Sequence, residues 1–231
     1  MKSIASADRR TAPLPRLVNG ERMKQPEFHR RYEQYPDDCK IELIGGIVYV
    51  ASPQRHPHSR QQPILAAFFI QYELATPGVE TLENATVILD EDREPQPDHS
   101  LRLLPECGGR TFLNPERYVV GCPELIAEIA HSTRDIDLFQ KREDYETAGA
   151  KEYVVVALEE PRLHWFDFVA GNEVKPGRDG ILRSRAFPGL WLHQAALLAA
   201  DVATVLESGQ LGLASRAHQA FVKKLAARRK S

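Results

Sequence analysis

The pattern of hydrophobic and polar residues from Pro123 to Val156 reads as strand, short loop, helix and strand, and the rest of the chain can be placed around that stretch. Leu125, Ala127 and Ile129 fall on one side of an extended segment, and Glu124, Ile126 and Glu128 on the other, which predicts a strand. A helix follows, expected to start near Asp135 as N-cap and to stop at Gly149, and the apolar run Tyr153 to Leu158 predicts a strand covered on both faces. Upstream, Pro26 to Tyr35 reads as a short helix. Ile41 to Ile44 and Ile47 to Val50 around Gly45-Gly46 form a hairpin signal. Ser59 to Leu74 reads as a helix with Pro63 near its first turn, and Pro77-Gly78 stops it. Ala85 to Leu89 and Asp98 to Leu103 read as strands, with Asp98, Ser100 and Arg102 on one face and His99, Leu101 and Leu103 on the other. Leu163 to Phe168 is a further strand, residues 171–180 a hairpin loop, and Trp191 to Leu206 contains a terminal helix. The pattern predicts an α/β fold with a central mixed β-sheet flanked by helices.

One helical position does not suit its face. Lys141 lies three residues after Leu138 and four before Tyr145, so it shares the face that should pack on the sheet. Spacing alone allows a lysine that buries its stem and snorkels its amine to water, or an amine aimed at the end of the strand that carries Glu128.

Composition narrows the class. The chain has 231 residues, is 42% hydrophobic and carries a net charge of −2, which suits one domain with a core and no global field for nucleic acid. Cys39, Cys107 and Cys122 are scattered and form no C-x-x-C pair, which points to reduced thiols and a cytoplasmic setting. No secretory signal and no apolar run of membrane-spanning length is visible. Residues 1–24 are expected to form a flexible arm, 25–207 the folded domain and 208–231 a basic tail. In that tail Lys223, Lys224, Arg228, Arg229 and Lys230 could meet DNA phosphates or simply be solvated. His56 and His58 lack partners at zinc-finger spacing, and neither a P-loop nor a nucleophile elbow is present.

Three carboxylates sit where a hard cation could use them: Asp98 at a strand start, Glu128 at a strand end, and Glu42 in the hairpin. Taken singly, each reads equally as a surface acid. In order, Pro97-Asp98, Glu128-Ile129-Ala130 and Lys141 resemble the PD-(D/E)XK phosphodiesterase superfamily. The likeness extends to the restriction-endonuclease-like chains of the Uma-two family. It is carried by Glu42 to Val48, His58, Pro97-Asp98, Pro123 to Ile129, Asp137 to Gly149 and Glu152 to Val156. The resemblance covers about residues 26 to 206. It departs from the family pattern after Glu128, where His131-Ser132-Thr133 is one residue shorter, and at Gly45, where an acidic residue is usual.

The resemblance implies a restriction-endonuclease-like fold and a Mg²⁺-dependent DNA endonuclease, with Mn²⁺ as a substitute ion and a homodimer as the assembly. Asp98, Glu128 and the Ile129 carbonyl would be metal ligands. Glu42 would serve a second metal or its water, and Lys141 would replace the lysine usually two residues after the glutamate, where Ala130 stands. The other reading is a nuclease-fold protein that binds DNA or a protein partner and does not cut.

Overall fold

A computed structural model describes residues 14–36, 39–51, 56–130 and 135–229. In chain order the elements are α1 (Gln25–Tyr32), β1 (Ile41–Ile44), β2 (Ile47–Val50), α2 (His56–Ala75), β3 (Val79–Glu83), β4 (Val87–Ile88), β5 (His99–Leu103), β6 (Phe112–Leu113), β7 (Val119–Val120) and β8 (Leu125–Ala130). A wide turn (Ile136–Gln140) then leads into α3 (Lys141–Ala148). β9 (Glu152–Ala157), β10 (Arg162–Asp167), β11 (Asn172–Glu173), β12 (Ile181–Arg183), β13 (Trp191–His193), α4 (Gln194–Leu198), α5 (Val202–Leu213) and α6 (Arg216–Arg228) complete the described chain.

The organising sheet has six strands in the order β11-β10-β9-β8-β5-β3. β8 and β9 are parallel and joined by the wide turn and α3, while the other neighbours are antiparallel, so the sheet is mixed as its sequence pattern predicts. The alternation along β8 sorts its side chains. Leu125, Ala127 and Ile129 enter the large core under α2, and Ile126 and Ala130 enter a second core with Tyr145, Tyr153 and Val155 under α3. A third cluster of Leu17, Phe28, Ile41, Leu43 and Val48 ties α1 to the β1–β2 hairpin. That hairpin turns on Gly45 and Gly46 at φ 55° and 74°, the left-handed pair a two-residue turn between twisted strands demands.

Several expectations are corrected. The helix expected from Ser59 begins at His56, so Pro63 lies in its interior, where it removes one helical N–H. β3 is absent from the sequence reading because its Glu-rich Val79–Glu83 run is an edge strand with little periodicity to detect. The strand expected at Ala85 to Leu89 shrinks to Val87–Ile88 and belongs to a small separate sheet with β6 and β7. The single terminal helix expected within Trp191 to Leu206 is a strand and two helices. The chain breaks at Ala200, with φ 55°, and restarts on Asp201, whose Oδ1 accepts the Thr204 N–H at 3.2 Å. Asp135 does not cap its helix, because its own backbone is already helical.

At the C-terminus, α5 runs across the boundary expected at 207, and α6 packs Leu225 into the large core while His218 Nε2 meets Thr76 Oγ1 at 2.9 Å. Residues 208–229 therefore belong to the folded unit. At the other end, Leu17 is buried, and Arg31 holds the carbonyls of Pro15 and Arg16, so residues 14–24 pack on the domain. Residues 1–13 of the expected arm lie outside the described residues. Among the described residues no helix is long and apolar enough to cross a membrane.

Candidate active site

The site forms where β5 begins and β8 ends. The antiparallel register pairs His99 with Ala127, so one step further Asp98 stands opposite Glu128. The Asp98 N–H donates to Glu128 Oε2 at 3.3 Å, and the Ile129 N–H donates to Asp98 Oδ2 at 2.8 Å. Continuing the same register puts Ile129 opposite Pro97. A proline has no N–H to give, so the Ile129 carbonyl does not receive the bond that this ladder position would otherwise supply. Sequence order alone could not show that Pro97 matters for a residue 32 positions away.

β1 brings Glu42 to the same place. Its Oε1 accepts the Gln96 N–H at 2.8 Å and faces Lys141 Nζ at 3.0 Å. Lys141 sits at the start of α3, buried, with its ammonium 2.9 Å from Glu128 Oε1 and 3.6 Å from Asp137 Oδ1. The snorkelling alternative is thereby excluded: the amine points inward. The helical face differs in detail from the expected one. Asp137, Lys141 and Tyr145, four residues apart, share the buried side, and Leu138 is only partly buried. The wide turn causes this, since the Lys141 N–H reaches back five residues to the Ile136 carbonyl instead of four. Tyr145 adds a hydrogen bond from its hydroxyl to Glu128 Oε1 at 2.9 Å.

Four site residues go beyond the candidate set. Asp137 and Tyr145 flank Lys141 at helical spacing, a signal present in the sequence. Lys40 lies two before Glu42 on an extended segment, and its Nζ is 3.0 Å from Asp98 Oδ1. His58, at the opening of α2, brings Nε2 within 3.3 Å of Asp98 Oδ2.

Electrostatics follow from this crowding. Glu42, Asp98, Glu128 and Asp137 are all buried and face two ammoniums, Lys40 and Lys141. Burial pushes the Glu128 carboxyl up to about 8, and Asp98 and Asp137 push the same way against Lys141 and Lys40. For Asp98 burial also pushes upward, but His58, Lys40 and the Ile129 N–H outweigh it and hold the carboxyl well below the usual range. Burial opposes charge on Lys141 too, yet Glu128, Glu42 and Asp137 together raise it well above an ordinary lysine. The carboxylates are bridged by ammoniums, and among the described residues no three His, Cys, Asp or Glu side chains are grouped closely enough to hold an ion as they stand. The donor types nonetheless suit a hard cation: two facing carboxylates and an adjacent carbonyl without its ladder donor. Glu152, the first residue of the Glu-Tyr-x-x-Val motif, lies elsewhere. It accepts Ser184 Oγ and the N–H groups of Arg185 and Ala186, so its work is structural.

The site thus lies on the mixed sheet of an α/β fold, with acidic residues at facing strand ends and a lysine on the following helix. The Uma2 family model, described as "Putative restriction endonuclease", matches residues 26–200, and the chain belongs to that family. Among solved structures it is similar to a crystal structure from Anabaena variabilis, described as a "putative nuclease belonging to DUF820". The TM-score is 0.58 at 12% identity, over 74% of this chain and 97% of that one. No curated protein matches.

Proposed function

We propose that this protein is a Mg²⁺-dependent endonuclease that hydrolyses phosphodiester bonds in DNA, with Mn²⁺ able to substitute. The observation that carries this reading is Asp98 opposite Glu128 at the ends of two interior strands, with Lys141 Nζ 2.9 Å from Glu128. Asp98, Glu128 and the Ile129 carbonyl would hold the ion, and Glu42 stands beside them for a second ion or a water. When bound, the ion polarises the phosphate and lowers the pKa of the attacking water. The remaining work belongs to the chain. Lys141 keeps Glu42 and Glu128 turned inward. Tyr145 fixes Glu128 from the other side, and Lys40 and His58 fix Asp98. The test is cleavage of duplex DNA with Mg²⁺ and with EDTA.

Family membership and the need to cut two strands with one site per chain favour a homodimer related by a two-fold axis. Sedimentation at micromolar concentration is expected to show twice the monomer mass, and a monomer alone would refute this assembly. The basic residues of α6 lie away from the carboxylate site. α6 packs beside the Pro105–Cys107 turn, beyond the end of β5 opposite Asp98.

A further inference from the structure

Two lysines share the site, and the structure gives them different surroundings. Lys141 has its ammonium enclosed by Glu128, Glu42 and Asp137 at 2.9, 3.0 and 3.6 Å. Two of the three ammonium donors are hydrogen-bonded, to Glu42 and Glu128, and Asp137 encloses the third side as an ion pair. Its side chain is 6% exposed. Lys40 is 21% exposed and makes one hydrogen bond among the described residues, to Asp98 Oδ1 at 3.0 Å. Its backbone is fixed, because its carbonyl accepts the Ala51 N–H at 3.0 Å and so extends the β1–β2 hairpin. The alternation of an extended chain puts Lys40 and Glu42 on the same side.

We propose that Lys40 is the ammonium that contacts the substrate phosphate, while Lys141 is a positioning residue behind the carboxylates. The inference rests on the nuclease reading and adds a residue to it. Lys40 has donors to spare, an opening to solvent and a fixed strand beneath it. A compact ammonium suits a non-bridging phosphate oxygen. It lies against Asp98, so an arriving phosphate can take up its unused N–H groups without moving the backbone.

The experiment compares the parent with Lys40→Gln, Lys40→Arg and Lys141→Gln. One arm measures cleavage of a duplex oligonucleotide with Mg²⁺. The other measures anisotropy of the same duplex in EDTA across a salt series. Lys40→Gln is expected to raise KM and weaken binding by about 10-fold to 100-fold, the worth of one hydrogen bond to a charged group. It should also reduce the salt slope by about 0.9, one phosphate contact. Lys40→Arg, which keeps the charge, should recover most of the binding. Lys141→Gln should lower kcat and leave the salt slope unchanged. If the parent cuts and Lys40→Gln matches it in KM and salt slope, the Lys40 assignment falls and the nuclease reading stands. If the parent binds without cutting and Lys40→Gln loses that binding, the nuclease reading falls and the phosphate contact stands. A parent that neither cuts nor binds overturns both.

Discussion

Lys141→Ala is expected to slow DNA cleavage by about 10², the scale for a small misplacement of reacting groups, here the carboxylates of Glu42 and Glu128 that Lys141 orients. The structure adds a stability effect that spacing on the helix did not foretell. The ammonium is the shared partner of Glu42, Glu128 and Asp137, all buried, and removing it leaves carboxylates in a low-dielectric site without compensation. Breaking one side of such a buried pair costs about 3–5 kcal/mol, so the variant should unfold at markedly lower urea concentration as well. The two effects separate in a single-turnover assay at a temperature where the variant remains folded. Lys141→Arg should not restore the rate, because a planar fork cannot take the place of a compact ammonium among three carboxylates. A Lys141→Ala protein that cuts at the parent rate would remove Lys141 from the mechanism.

Asp98→Asn should have the larger effect on activity. Asparagine is nearly the same shape, and its carbonyl oxygen can still accept the Ile129 N–H that now goes to Oδ2 at 2.8 Å. What it loses is the charge that burial opposes and that His58, Lys40 and the Ile129 N–H sustain. A neutral amide is a poor ligand for a hard divalent cation. Losing the ion removes several kcal/mol of charge stabilisation, about 10³ in rate. Cleavage with Mg²⁺ should fall by that factor at a temperature where both proteins are folded, and the unfolding midpoint should also fall, because Lys40 and His58 lose their charged partner. Cleavage by Asp98→Asn at the parent rate would show that Asp98 is not part of the metal site.

Local chemistry explains what could be read from the sequence. The β1–β2 hairpin rests on two adjacent glycines with positive φ, the strand-helix-strand unit on periodicity, and the place of Lys141 on the packed helix face on its spacing from Tyr145, which left the direction of its amine open. Each of these signals lies within a few residues. The unread parts depend on distant partners or on exceptions to periodicity. Lys40 is 58 residues from Asp98, so only the fold could show that they touch. β3 is an edge strand whose pairing with β5, not its own pattern, defines it. The break at Ala200 is a residue at φ 55° that its sequence neighbourhood, Leu197 to Val202, reads as continuous helix. α6 looked like a solvated tail because its charges dominate, while Leu225, one apolar residue among them, anchors it in the core.

The measurement closest to the central claim is conversion of supercoiled plasmid DNA by the purified protein, run side by side with Mg²⁺ and with EDTA, and repeated with Asp98→Asn. The geometry of Asp98, Glu128 and Lys141 predicts nicked or linear product from the parent with Mg²⁺ only, and little or none from Asp98→Asn. Cleavage that persists in EDTA, or a parent that leaves the plasmid supercoiled with Mg²⁺ and with Mn²⁺, would contradict it.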